Sequence, residues 1–187
     1  MKIIVNQKKL SLVRGDIIRQ HTEAIVNAAN SSLMGGGGVD GAIHRAGGPK
    51  ILEECKQILA RQGRLPAGKA VITTGGNLPA KYVIHTVGPV WHGGTNNEAE
   101  TLGSCYKECL RVAEERKLTS VSFPSISTGA FGYPVEEAAR VAIRAVIEFF
   151  KEPSASVTEV VFVLFDSRSL EAYQKALQEL EKPSVEP

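Results

Sequence analysis

The fold is decided by the stretch Asn27-Ala28-Ala29-Asn30-Ser31-Ser32-Leu33-Met34-Gly35-Gly36-Gly37-Gly38-Val39-Asp40-Gly41-Ala42-Ile43-His44. We interpret it as a buried strand, a glycine loop and the start of a helix. The four successive glycines lack Cβ atoms, so this loop can bring its backbone close to a ligand. The unpaired N–H groups at the start of the helix favour an anion such as phosphate. The stretch therefore predicts a loop that holds a phosphorylated ligand.

Polar side chains follow the glycines at helical spacing. Asp40 stands at the predicted helix start and His44 comes four residues later, which puts a carboxylate and an imidazole on one helical face. Asn30 lies where the strand ends. Asp40 and His44 lack a third ligand, so we predict no metal site. We expect these side chains beside the bound ligand.

Two nucleotide-binding motifs match parts of the chain incompletely. Residues 36–41 satisfy G-x-G-x-x-G, but the acids about 20 positions on, Glu53 and Glu54, fall inside a helical pattern, so the ribose-binding carboxylate is missing. Residues 63–70 nearly form a P-loop, but Ala70 replaces the Ser or Thr that ligates magnesium. That loop also precedes a strand instead of following one. The sequence therefore disfavours a Rossmann NAD site and excludes a P-loop.

The composition is typical of a soluble protein. The 187 residues suffice for one domain, which we place at residues 1–182, with a flexible tail at 183–187. The chain has three cysteines, and Cys105 and Cys109 share an apolar helical face, which indicates core packing in a reducing, cytoplasmic setting. A net charge of +2 and scattered basic residues disfavour nucleic-acid binding. We find neither a signal peptide nor a run long enough to span a membrane, so no membrane association is expected.

Strands and helices alternate along the chain. The strands are predicted at residues 3–5, 10–13, 24–28, 71–74, 82–87, 119–124 and 158–165, and the helices at 40–47, 50–62, 97–117, 135–151 and 168–180. The alternation predicts an α/β fold, a three-layer α/β/α sandwich with a mixed, largely parallel central sheet. We expect the first hairpin to add antiparallel strands at one edge. Ligands bind beyond the carboxyl ends of such strands, where the unusual loops of this chain fall.

A second loop, residues 125–134, also precedes a predicted helix. Its hydroxyls, glycines and N–H groups can bind a second phosphate, so the two loops would clamp a diphosphate between them. Phe131, among the glycines of this loop, is predicted to pack on a sugar face. Phe165 stands at a strand end and either stacks on a base or belongs to the core.

In its motifs the chain resembles a macrodomain of the MacroD type, and within that type the bacterial O-acetyl-ADP-ribose deacetylases. The resemblance covers nearly the whole chain and rests on several motifs in the right order: Gly15-Asp16-Ile17 and residues 25–30, 35–44, 84–89 and 123–134. It implies that ADP-ribose binds on a mixed sheet flanked by helices. The diphosphate predicted from the two loops agrees with this ligand.

The resemblance also implies which residues contact ADP-ribose. Asp16 would accept a hydrogen bond from the adenine amino group with the Ile17 backbone beside it, and Phe165 would lie against the adenine. The diphosphate and the distal ribose would be contacted by Asn30, Gly37, Gly38, Val39 and Asp40 of the first loop and by Ser127, Thr128, Gly129, Ala130 and Phe131 of the second. Phe131 stands where a tyrosine is common in the family, so this chain keeps the aromatic ring and lacks the hydroxyl group.

The reaction implied by the resemblance is hydrolysis of an ester on the distal ribose, without a cofactor. The substrates would be O-acetyl-ADP-ribose and mono-ADP-ribosylated proteins that carry the group on Asp or Glu. Asp40 would orient or deprotonate water, Asn30 would hold ribose hydroxyls, and His44 either orients Asp40 or bonds within its helix. His85, inside a strand, is expected to be a core residue. A non-catalytic ADP-ribose reader and hydrolysis of ADP-ribose 1″-phosphate remain as alternatives.

Overall fold

The computed structural model describes residues 1–153 and 156–181, so the predicted tail at 183–187 lies outside the described residues. The strands are β1 (Lys2–Val5), β2 (Lys8–Arg14), β3 (Ala24–Ala28), β4 (Ala70–Thr74), β5 (Tyr82–Thr86), β6 (Ser120–Phe123) and β7 (Glu159–Leu164). The helices are α1 (Gly38–Gly47), α2 (Pro49–Gln62), α3 (Glu98–Glu115), α4 (Val135–Lys151) and α5 (Ser167–Glu181), with a 3₁₀ turn at Ile17–Arg19. Every element predicted from the sequence is present, with each end within two residues of its predicted position.

The strands form one mixed sheet in the order β1-β2-β7-β6-β3-β5-β4. The five central strands, β2, β7, β6, β3 and β5, run parallel to one another. The first hairpin, β1 and β2, lies at one edge of the sheet as expected. Its two strands are antiparallel to each other, but only β1 runs opposite to the central strands, because β2 pairs parallel with β7. At the other edge β4 pairs antiparallel with β5, which the sequence reading did not predict.

Helices cover both faces of the sheet, which confirms the predicted α/β/α layers. One apolar cluster joins α3, α4 and α5 to one face, and a smaller cluster joins α1 and α2 to the other. Strand β3 contributes to both, because Val26 packs in the first cluster and Ile25 in the second. The inward side of α4 ends at Phe150, which is fully buried, and the partly buried Phe149 packs against the same cluster. Within residues 1–153 and 156–181, no helix combines the length and the apolar sequence needed to cross a membrane.

The parallel strands bring their following loops to one edge of the sheet. In spatial order these loops begin after β2, β7, β6, β3 and β5. Gly15 N donates to Leu164 O at 3.0 Å, which ties the first two loops together at their start. Neighbouring strands are about 4.8 Å apart, so a ligand that lies along this edge would meet the loops in this order.

Candidate active site

A cleft of ≈ 280 Å³ opens between the loops that follow β3 and β6. Most of the predicted binding residues line it: Asn30, Gly37, Gly38, Val39, Asp40, Ser127, Gly129, Ala130 and Phe131. The lining also includes Ala28, Ala29 and Gly88, which were not predicted to contact a ligand, and Ser125 and Ile126 of the predicted phosphate-binding loop. The parallel sheet therefore joins two loops that are about a hundred residues apart in the sequence.

The glycine loop after β3 leads directly into the first turn of α1. Its N-cap, Gly37, has no side chain to bond the free N–H groups of that turn, and Gly38 has a left-handed φ of 56°. Gly36 is needed for space, because a Cβ there would lie 2.6 Å from Asn30 Nδ2 and 3.2 Å from Asp40 Oδ2. The loop thus keeps Asn30 and Asp40 close together and offers N–H groups to an anion.

The loop after β6 offers a second set of backbone donors. In the described part of the chain, the N–H groups of Gly129, Ala130 and Phe131 donate no hydrogen bond. The loop is closed by the bond from Tyr133 N to Ser127 O at 3.0 Å, with Ser127 at a left-handed φ of 66°. Such a turn of free N–H groups is a common anion-binding arrangement.

Gly88, in the loop after β5, leaves room for the side chain of Ser127 from the loop after β6. A Cβ at Gly88 would lie 2.1 Å from Ser127 Oγ and 2.7 Å from Ile126 Cγ2. Only glycine therefore lets the loops after β5 and β6 meet at the cleft.

Asp40 is the charged group of the cleft. It is 4% exposed, and its Oδ1 accepts from Asn27 Nδ2 at 2.9 Å and lies 3.3 Å from His44 Nε2. His44 thus contacts Asp40 within the same helix, which is compatible with both of its predicted roles, and it is not among the cleft-lining residues. The other carboxylate oxygen, Oδ2, has no hydrogen-bond partner among the described residues.

Behind Asp40, a buried polar chain runs into the sheet. Asn27 Nδ2 also bonds His85 Nδ1 at 3.1 Å, and His85 Nε2 bonds Thr73 Oγ1 at 2.8 Å. Since the Thr73 hydroxyl donates to Thr74 O, it accepts from His85, which makes Nε2 the protonated nitrogen and Nδ1 the acceptor. Burial lowers the pKa of His85 to about 3, so the imidazole is neutral at physiological pH.

Asn27 is part of the site although it was not predicted as a site residue. Its amide is fully buried in β3, and both of its N–H groups are used, one by Asp40 and one by His85. The signal was present in the sequence, because an amide inside an otherwise apolar strand needs buried partners. His85 is a buried core residue as expected, yet it also supports Asn27.

Two buried polar atoms of cleft residues have no partner among residues 1–153 and 156–181. They are Asp40 Oδ2 and Ser127 Oγ, from the loops after β3 and β6. Leaving a buried polar atom without a hydrogen bond costs about 1–3 kcal/mol, and more for a charged one. Both residues line the cleft, so these atoms are the first to consider as bonding partners of a polar ligand that fills it.

The remaining predicted residues lie outside the cleft lining. Asp16 Oδ1 accepts from Ile18 N at 3.2 Å and so caps the 3₁₀ turn, in which Ile17 is buried. Phe165 is 80% exposed, so the interpretation as a core residue is wrong and its ring is free to stack. Thr128 Oγ1 donates to Ser125 Oγ at 2.8 Å, and this hydroxyl holds the loop.

The loop after β5 is fixed by a buried glutamate. Glu98 is 2% exposed and its carboxylate accepts from the N–H groups of His92, Gly94 and Asn96. Burial opposes the charge, but these backbone bonds outweigh it and lower the pKa of Glu98. Across the part of the chain that the structure describes, no three His, Cys, Asp or Glu side chains cluster to hold a metal ion.

Comparison with known proteins shows which family this architecture belongs to. The family model described as Macro domain matches residues 26–142. The chain is 56% identical to a macro domain-containing protein of Caldanaerobacter subterraneus over 94% of this chain and 99% of the relative. It is 52% identical to an O-acetyl-ADP-ribose deacetylase of Klebsiella pneumoniae over 89% of this chain and 94% of the relative.

A solved macrodomain structure is also similar to this chain. It is a mutant of the Oceanobacillus iheyensis macrodomain with ADPR, which matches at a TM-score of 0.92 and 45% identity over 96% of this chain and 97% of the other. The family model covers more than half of the chain, and both sequence relatives align over nearly their full length. This chain belongs to the macrodomain family.

Proposed function

We propose that this protein binds ADP-ribose and hydrolyses acyl esters on its distal ribose. The substrates are O-acetyl-ADP-ribose and proteins that carry mono-ADP-ribose on Asp or Glu. The observation that carries the proposal is Asp40, a nearly buried carboxylate in the cleft whose Oδ2 has no partner and lies beside Asn30. The relative from Klebsiella pneumoniae, named O-acetyl-ADP-ribose deacetylase, supports the acetyl ester as a substrate.

The order of the loops supports the direction in which ADP-ribose lies. Asp16 follows β2 and Phe165 follows β7, so both suit the adenine at one end. Residues 127–131 follow β6 and suit the diphosphate with their free N–H groups. Asn30 and Asp40 follow β3 and suit the distal ribose. The parts of the ligand thus succeed one another in the spatial order of the strands.

In the proposed reaction Asp40 acts on a water molecule. Asp40 Oδ2 accepts a proton as the water oxygen forms a bond to the acyl carbon. The bond from that carbon to the ribose oxygen then breaks, and the proton passes to the ribose oxygen. Asn27 and His44 hold Oδ1, which leaves Oδ2 for the water. Asn30 would hold the ribose hydroxyls, with its own amide fixed by the bond to Gly35 O at 3.1 Å.

The setting we propose is the cytoplasm. Cys55, Cys105 and Cys109 are free and buried, and burial raises the pKa of the Cys55 thiol to about 12. Such thiols are structural and remain reduced in that compartment.

The experiment that tests the proposal measures binding and hydrolysis separately. ADP-ribose binding is measured by calorimetry, and product release is measured with O-acetyl-ADP-ribose and with a carboxylate-linked mono-ADP-ribosylated protein. Binding together with release from both esters supports the hydrolase. Binding without release would identify a reader, and the absence of binding would overturn the proposal.

A further inference from the structure

A second cavity adjoins the cleft on the side of β5. Its volume is ≈ 680 Å³, and it shares Asn30, Gly88 and Phe131 with the cleft. The residues that line only this cavity are Ser31, Ser32, Arg64, Leu65, Pro66, Ala67, Val87, Pro89 and Val90. Cavities of about 300–1,000 Å³ are the usual size for a ligand. The residues that line only this cavity were not predicted to contact a ligand.

The walls of the second cavity are joined by hydrogen bonds. The segment after α2 is held to the loop after β3, because Leu65 N donates to Ser31 O at 2.9 Å and Arg64 Nη2 donates to Ser31 Oγ at 2.7 Å. The loop after β5 is held to the loop after β6, because Trp91 N donates to Phe131 O at 2.8 Å. These hydrogen bonds thus hold the loops that form the walls of the cavity.

The order of the strands indicates what the second cavity receives. The proposed ligand reaches its distal ribose at β3, and the next strand along the edge is β5. The group attached to the distal ribose therefore points toward the loop after β5. An acetyl group is only a few times larger than a water molecule, which occupies about 30 Å³ of liquid, so it would leave most of this cavity empty.

The charge of the lining restricts that group further. Arg64 is the only charged residue among those that line the cavity, and it is exposed to solvent. In the described parts of the chain, Arg64 forms no ion pair with a carboxylate. The other lining residues are apolar or carry hydroxyl or amide groups. The cavity thus suits a polypeptide with acidic side chains next to the attachment point.

We propose that the second cavity binds the polypeptide segment that carries the ester-linked ADP-ribose, and that Arg64 favours segments with acidic residues beside the modified side chain. This inference rests on the proposed function, because the distal ribose must lie at Asn30 and Asp40. It adds a substrate class, acidic protein segments, to that function.

The test measures the affinity of three ligands by calorimetry. They are free ADP-ribose, an ADP-ribosyl peptide with a hydrolysis-resistant linkage and Glu on both sides, and the same peptide with Gln on both sides. Arg64→Glu reverses the charge at the cavity, and Arg61→Glu makes the same change in the last turn of α2, outside the lining. Ala67→Trp narrows the cavity without a change of charge, since Ala67 is an exposed lining residue.

We expect the wild-type protein and Arg61→Glu to bind the Glu peptide about two- to fivefold more tightly than the Gln peptide, the range of an exposed ion pair. This preference should shrink at high salt and disappear in Arg64→Glu. Ala67→Trp should weaken both peptides and leave free ADP-ribose unchanged. The inference is overturned if Arg64→Glu keeps the preference, or if Ala67→Trp binds the peptides as the wild type does. Failure of free ADP-ribose to bind the wild type would instead overturn the proposed function.

Discussion

Acidification should destabilise this protein through the buried imidazole of His85. Burial lowers its pKa from 6.5 to about 3, with a smaller contribution from His44 in the same direction, and Asp40 opposes the shift. Between these two values the unfolded chain binds a proton that the folded protein does not bind. The free energy of unfolding therefore falls as the pH falls through 6.5, and the loss levels off near the folded-state pKa.

The size of this loss follows from the two pKa values. Each pH unit between them costs about 1.4 kcal/mol, so the change from pH 7.5 to pH 5 should lower the free energy of unfolding by about 2 kcal/mol. That is a large part of the stability of a typical domain, about 5–15 kcal/mol.

The assay compares the wild type with His85→Gln by urea unfolding at both pH values. Glutamine can still donate to Thr73 but does not titrate, so the pH-dependent loss should be smaller in the variant by about 2 kcal/mol. His21 and His92 are common to both proteins and cancel in the comparison, whereas His44 lies near His85, with 6.3 Å between the ring centroids. If His85→Gln does not fold, His85→Asn serves instead, with an oxygen that accepts from Asn27. An equal pH dependence in wild type and variant would refute a neutral, buried His85.

Asp16→Ala should weaken ADP-ribose binding by about 1–3 kcal/mol in calorimetry, the value of a hydrogen bond to a charged group. Asp16→Asn keeps an oxygen to cap the 3₁₀ turn and so isolates the charge; unchanged affinity in both variants would remove Asp16 from the adenine site. Gly36→Ala should slow ester hydrolysis roughly 10- to 100-fold, because its methyl group would displace Asn30. Gly103→Ala, in α3 and outside the cleft lining, adds a methyl group in ordinary contact with Val141 at 3.8 Å and is the control; equal rates for the two variants would contradict this role of Gly36. Phe165→Ala should change the free energy of unfolding by less than about 0.5 kcal/mol and weaken ADP-ribose binding by about 1–3 kcal/mol. Full affinity in Phe165→Ala would place the adenine elsewhere.

The layers of this fold could be predicted because the apolar patterns of its strands and helices are clear. The direction of β4 was missed, although the sequence contains the information. Only residues 75–81 connect β4 to β5, and a parallel pair needs a crossover of a dozen or more residues. The length of the connection, and not the composition of the strand, forces the antiparallel edge.

The cleft could be predicted because its residues follow strands whose carboxyl ends meet. The need of Asn27 for buried partners could be predicted as well, but not which partners it has, because Asn27, His85 and Thr73 come from three strands that only the sheet order makes adjacent. The exposure of Phe165 could not be predicted either, because an aromatic side chain at a strand end is compatible both with the core and with the solvent-exposed surface.

The most direct test of the proposed hydrolase is Asp40→Asn, assayed for release of ADP-ribose from a carboxylate-linked mono-ADP-ribosylated protein. Asparagine keeps an oxygen to accept from Asn27, so the variant should fold and bind ADP-ribose with a loss below about 1.4 kcal/mol, or tenfold. It cannot take a proton from water, so release should fall by about 10²–10⁴-fold. Release at the wild-type rate by a variant that still binds ADP-ribose would contradict a catalytic role for the Asp40 carboxylate.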